Sequence, residues 1–355
     1  MNLKFHRRAG FLLALLALGA IALFAAPRLD DGAAAWGGRK LAALANDVLY
    51  SPLRSRVVDR ILTANFLIVM ALTLLLERLI PAHARRKWLS ASALQDAAWF
   101  FYEAVLHAAI IATWVTLLVW FYRRYLASQP IAHFGALSIG MRFVIATVLV
   151  DLCMWIQHRV NHAVPWFWQF HKVHHSQREL SFFTDFRYHV FEYVVRETFL
   201  AIPFIVLGVR VPVIVYFSAF RRWYTPFYHA NIKTDLGPLR YLLATPQSHR
   251  IHHSIEPRHQ NKNFGSLFSI WDFAFGTQYT QWDEYPDTGI EDHEFPHETR
   301  ADLRSLLITP IRQMLFPLHR IAEQVASWRP AGPREQSMRQ RTPRASPDGS
   351  TKPIS

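Results

Sequence analysis

Eight of the eighteen histidines fall into three short groups. His158 and His162 lie four apart in HRVNH. His171, His174 and His175 form HKVHH, and His249, His252 and His253 form HRIHH. On a helix, residues three and four apart share a face, so each group can aim two or more ring nitrogens at one point. Neutral imidazole is a good ligand for Zn, Cu, Fe and Ni. A metal takes about four to six donors, so eight aimed rings suit two metals better than one. Isolated histidines are ordinarily surface or interfacial residues, and His6, His83, His107, His133, His259, His293, His297 and His319 are read that way. Two copies of H-x-x-H-H and one H-x-x-x-H do not fit that reading. A Gly-rich phosphate loop and a nucleophile elbow are absent; H-E-x-x-H occurs once, as HEFPH at 293–297, apart from the three groups and with a proline in it, which does not suit the helix that a zinc hydrolase needs there. The single cysteine, Cys153, excludes an intrachain disulfide and a thiolate zinc site; lying in an apolar run, it reads as a small core residue.

The groups sit beside long apolar runs. Residues 9–26 are uncharged behind Lys4, Arg7 and Arg8, the pattern of a signal peptide or, as we read it here, a retained first span. Further runs cover 61–80, 99–122 and 137–156; the last carries Asp151, an acid inside an apolar run and so a functional candidate. The region 194–220 contains Arg196, Pro203, Gly208, Arg210 and Pro212 in its middle. A straight span would not, and a hairpin that dips into the membrane and returns fits better. The expected fold is therefore an all-α integral membrane protein: about four transmembrane helices plus a membrane hairpin, under a cytoplasmic histidine-rich helical cap. Basic residues at the N-terminus and at 83–87 set the orientation, with 27–60 on the far side and 158–328 in the cytoplasm. Arg123, Arg124 and the basic residues of 28–60 violate the rule mildly.

The chain has 355 residues, 51% of them hydrophobic, and a formal charge of +13. Such a charge suggests nucleic acid, but beside apolar runs it fits contact with anionic lipid better. Beyond Trp328 the sequence turns to Pro, Ser, Arg and Gly, the composition of a disordered basic tail over 329–355. We expect an anchor region over 1–94, a catalytic domain over 95–285 and an amphipathic segment over 286–328.

The three boxes in this order, with YHANI (228–232), TPQSHRIHH (245–253) and NFGSLFSIWDFAFGT (263–277), resemble the fatty acid hydroxylase/sterol desaturase superfamily, bacterial branch. The resemblance covers about 95–285 and says little of substrate. It implies a di-iron site, with zinc able to occupy the same ligands in purified protein. It also implies O2-dependent hydroxylation, or desaturation, of a lipid C–H bond in a fatty acyl, sterol-like or ether lipid. With no nucleotide fingerprint or Cys-rich cluster motif in the chain, electrons would come from an external donor, a ferredoxin or a small haem protein with its reductase. Arg159, Lys172, Arg178, Arg221, Arg222 and Arg250 would offer an acidic carrier a basic surface. Location would be a multi-pass position in a bacterial inner membrane, with the site facing the cytoplasm. Family members recruit further histidines between the second and third boxes; only His189 and His229 lie there. His189 competes with a pairing to Glu192. Asp185, Glu192 and Asp272 are candidates for orienting ligand rings, against roles as caps or surface ions. Asn231 and Asn263 read as turn residues. Trp166, Phe167, Trp168 and Phe170 read as an interfacial anchor or a substrate access path. The rival reading is a non-redox metal-binding or metal-transport membrane protein. A transporter would place its ligands within broken spans, whereas these boxes lie outside the apolar runs.

Overall fold

A computed structural model describes residues 64–84, 86, 88–121, 124–125, 137–207, 221 and 223–327. The run at 9–26, the middle of the expected hairpin (208–220) and the expected tail lie outside the described residues. Among the described residues the chain is helical, and β pairing is confined to isolated bridges. The main helices are α1 (Ala64–Leu79), α2 (Ala91–Phe121), α3 (Ile139–Ala163), α4 (Pro165–His175), α5 (Val190–Leu207), α6 (Pro246–His252), α7 (Ile270–Ala274) and α8 (Leu303–Ser327). Residues 223–229 form a further short helix.

By length and composition, one helix among the described residues, Gly140–Ala163, is long and apolar enough to cross a membrane, with a third of its apolar window buried. Met141, Phe143, Val144, Leu149 and Ile156 on α3 are exposed. The opposite face buries Ala146, Val150 and Met154 against Leu200, Leu243 and Leu267. The same helix carries a polar stripe at 151, 155, 158 and 162, turned toward the protein. The third apolar run is a continuous helix of 31 residues.

The junction of α3 and α4 is local chemistry. Val164 has φ −99° and ψ 117°, the extended conformation favoured before proline, and Pro165 opens α4 where its missing N–H costs nothing. The turn sets the first box, at the end of α3, against the second, on α4. After α4 the chain passes through a 3-10 turn, Phe182–Phe186, closed by a reciprocal Ser181–Thr184 cap. It then enters α5, which packs on α2, α3 and α4. The exit limb 223–229 brings His229 against His174, so the chain does return to the surface that carries the boxes.

The flanks are tied into this core. Buried Glu77 on α1 accepts from the backbone of Phe182 and Asn231 and pairs with Arg86. Helix α8 packs on α2 and α4. Trp99 donates to Gln313, and Glu298 reaches the interior. These contacts cross both expected boundaries, at 94/95 and 285/286.

Candidate metal centre

Nine histidines form two adjoining groups. His158, His162, His171, His175 and His252 offer ring nitrogens that all lie within 4.8 Å of one another; so do those of His174, His229, His249 and His253. The second and third boxes are each split between the groups. The groups abut, with the rings of His175 and His253 stacked at 4.2 Å and those of His171 and His174 5.5 Å apart.

Five of the nine rings are held from behind by their Nδ1. His158 donates to the carbonyl of Phe264 (2.9 Å), His252 to that of Lys262 (2.8 Å), His174 to that of Arg187 (3.2 Å) and His229 to that of Thr225 (2.8 Å). His171 donates to Glu192 Oε1 at 2.6 Å. A carbonyl or carboxylate can only accept, so each of these Nδ1 atoms carries the proton and each Nε2 presents a lone pair inward. Yet His158 and His171 bring their Nε2 atoms to 3.1 Å, as do His174 and His229. Lone pair faces lone pair in both groups. A proton could relieve that, but burial first, and then the neighbouring imidazoles, push His174 well below its ordinary pKa. Burial likewise depresses His229, against a partial pull upward from Asp185. His252 is pushed down to about 3 by burial, although Lys262 O opposes it. The buried Nε2 atoms of His162 and His252 have no hydrogen-bond partner at all. Neutral rings with convergent, unused lone pairs are what a cation needs, so the donor set fits two metal ions.

The carboxylates act at one remove. Glu192 also accepts from Asn161 (2.9 Å), fixing its grip on His171. Asp185 lies 3.3 Å from His229 Nδ1 and accepts from Thr225 Oγ1, whose own carbonyl receives the ring. Asp272 and Asp151 touch no histidine. Asp272 accepts from the backbone of Phe264 and Gly265 and from Trp155. Asp151 accepts from the backbone of Leu267 and Phe268 and from Trp271. Together they shape the loop whose carbonyls at 262 and 264 orient His252 and His158. Gly265 is needed there, because a Cβ would meet Phe268 O at 2.7 Å. Asn263 adopts φ +57° and donates to Ser248 O, pinning the loop to α6. Asn231 does more than turn the chain: it bonds His83 and Arg250.

His189 is not brought into either group. Its Nε2 meets Met314 O at 2.9 Å, and its Nδ1 accepts from Phe191 N. Glu192, the expected partner of His189, serves His171 instead, because the first turn of α5 points it at α4. Trp168 packs its ring against His162 and His175, at 5.1 and 5.3 Å, while Trp166 is exposed. The expected basic surface is partly interior, although Arg178 is exposed and Arg159 half-buried. Lys172 is buried against Asp292, Arg250 is buried on Asn231 and Pro286 O, and Arg221 lines a cavity beside the histidines. Their aliphatic stems and charges are used inside the fold, which spacing alone does not reveal; Arg222 lies outside the described residues. Sequence reasoning also missed Arg187, a fully buried cation between Asp96 (2.9 Å) and Glu298 (3.3 Å). The only hint was a lone Arg in FRYH.

Residues 143–277, which hold all nine clustered histidines, match the fatty acid hydroxylase family. The chain is 30% identical over 148 residues to the ornithine lipid hydroxylase of Rhizobium tropici, covering 41% of this chain and 45% of that protein. It is 32% identical over 130 residues to human alkylglycerol monooxygenase, covering 36% and 28% of the two chains. It is 28% identical over 168 residues to human cholesterol 25-hydroxylase, covering 47% and 61%. The chain thus spans less than two thirds of the length of each of these relatives. No solved structure matches it significantly. The stretch that carries the histidine groups thus matches the fatty acid hydroxylase family, and the relatives it aligns with are named as lipid hydroxylases and monooxygenases.

Proposed function

We propose that the protein is a membrane-bound di-iron oxygenase that hydroxylates a C–H bond of a lipid, with 95–285 as its catalytic unit and the flanks as supports. The observation that carries this reading is the pair of adjoining imidazole groups whose inward lone pairs oppose one another. His158, His162, His171, His175 and His252 would hold one metal, and His174, His229, His249 and His253 the other. Bound there, iron would supply O2-dependent oxidation of an unactivated C–H bond, chemistry that no side chain performs.

The chain's own residues hold, orient and screen. Glu192 and the carbonyls of Phe264, Lys262, Arg187 and Thr225 fix which ring nitrogen bears the proton. Burial keeps the rings neutral and ready to donate. The exposed apolar residues of α3 face a hydrocarbon environment and place the histidines at its margin, where a lipid can reach them from the bilayer. The relatives' names, ornithine lipid, alkylglycerol and cholesterol, support a lipid substrate. In a hydroxylation one oxygen atom enters the C–H bond and the other leaves as water, so a separate electron donor is required. We place the protein in a bacterial inner membrane with 158–328 on the cytoplasmic side.

The test is elemental analysis of the purified protein, with lipidomics of cells with and without the gene under ¹⁸O2. The expected result is two metals per chain and one ¹⁸O in a lipid product, with activity following iron loading. One metal per chain, or full activity with zinc alone, would overturn the di-iron reading. Turnover with a reduced nicotinamide and no added carrier would overturn the external donor. Reporter fusions after residues 180 and 235 should report the same side of the membrane.

A further inference from the structure

Beside the histidines lies a cavity of about 40 Å³, lined by His158, His171, His174 and His249 together with Gln157, Glu192, Arg196 and Arg221. That is room for a small group. Four buried polar atoms of its lining residues have no partner: Gln157 Nε2, Arg196 Nε, Glu192 Oε2 and His249 Nδ1. The Gln157 and Arg196 atoms can only donate. Arg196 is itself 9% exposed and is held rigidly, with its guanidinium 4.4 Å from the Tyr193 ring centroid and 5.0 Å from that of Tyr188. Among the described residues it pairs with the carboxylate of Glu197, the next residue, at 3.6 Å. A second cation, Arg221, lines the same small space. Two carboxylates, Asp185 and Glu192, line it as well, but both are engaged elsewhere, Asp185 by Thr225 and His229 and Glu192 Oε1 by His171 and Asn161. Planar guanidinium donors match carboxylate and phosphate oxygens.

We propose that this cavity receives an anionic oxygen group of the lipid substrate, a carboxylate or a phosphate ester, bound by Arg196 and Gln157 with Arg221 as the second charge. The carbon presented to the histidines then lies close to the polar headgroup, not at mid-chain. Glu192 Oε2, an acceptor without a donor, suits a hydroxyl, amide or ammonium beside the anionic group. This rests on the lipid-oxidation reading for the word substrate, but binding at the cavity is measurable without turnover.

The experiment compares binding of dodecanoate, dodecyl phosphate and dodecanol to the metal-loaded full chain in nanodiscs. Wild type should bind at least one of the two anions about 10-fold or more tightly than dodecanol, since hydrogen bonds to charged groups are worth that much. The tighter anion identifies which group the cavity takes. Arg196→Gln should lose that preference with unchanged metal content and unchanged affinity for dodecanol, and Arg196→Lys should recover part of it. Should Arg196→Gln fail to fold, Gln157→Leu should weaken the anion alone by several-fold. Equal binding of all three probes by wild type, or an equal loss for all three in the variants, would overturn the proposal. Absence of any oxidised lipid from wild type would instead sink the oxygenase reading and leave the binding preference standing.

Discussion

Every side-chain nitrogen and oxygen of Arg187, Asp96 and Glu298 has a partner; close by, around the histidines, several buried polar atoms have none. Arg187 donates to Asp96, Ser176 and Glu298, while Thr184, Ser181 and Ser92 complete the two carboxylates. The histidine region leaves His162 and His252 Nε2, Gln157 Nε2, Glu192 Oε2 and Arg196 Nε unanswered. A polar network that only supports the fold is complete within the chain, since an unpaired buried group costs about 1–3 kcal/mol. Unfilled valences gathered in one place are tolerated where something from outside completes them. The two regions are linked, because the carbonyl of Arg187 receives His174.

The strongest way to break the contrast is Arg187→Met. It leaves two buried carboxylates without their cation, at about 3–5 kcal/mol. Little folded protein should be recovered, and what remains should lose the metal held by His174. Wild-type melting temperature and metal content would show that the triad supports neither.

The contrast is sharpened next by His229→Ala beside His189→Ala. Removing His229 should drop the metal content from two toward one per chain, with helical circular dichroism intact. Removing His189 should leave both metals and cost only stability. Equal metal content in the two variants would take His229 out of the site.

Glu192→Gln keeps the shape but weakens the acceptor for His171. Metal affinity should fall about 10- to 100-fold, read by competition with a chelator, and the fold should survive. Unaltered affinity would reduce Glu192 to a packing residue.

The smallest effect concerns pH. Burial alone would raise the pKa of Glu298, but Arg187 and the Ser92 hydroxyl outweigh it and hold the carboxyl below its ordinary 4.5. The unfolded chain therefore takes up this proton first. The stability from Glu298 is present above about pH 4.5 and is lost as pH falls through the lower folded value. Melting temperatures between pH 7 and 3.5 should decline less in Glu298→Gln than in wild type; identical slopes would count against the pairing.

The sequence displayed the clustered histidines better than their supports. Helical spacing alone exposed the eight box histidines, because imidazole is rare enough for its pattern to carry information. It did not expose the division of each H-x-x-H-H between two groups, since that depends on how α4 and α6 face one another. It set His189 beside Glu192 correctly in the chain, yet the turn of α5 aims the two side chains at different helices. The acceptors behind His158, His252, His174 and His229 are backbone carbonyls, which leave no trace in residue identity. Lys172 and Arg250 looked like surface charge because burial of a paired cation depends on partners far along the chain, Asp292 and Asn231.

The polar stripe of α3 has a consequence for how such a chain can change length. Asp151, Trp155, His158 and His162 all engage one loop or one metal group, over three turns of an unbroken helix. One residue inserted between Asp151 and His158 would rotate the two histidines by about 100° relative to the aspartate, carrying them off the site while Asp151 still clasped the loop. A residue added before Gly140 would leave that phase untouched. Insertions and deletions are therefore barred from 151 to 162 and tolerated upstream, a rule of register that deletion scanning can read without any assay of chemistry.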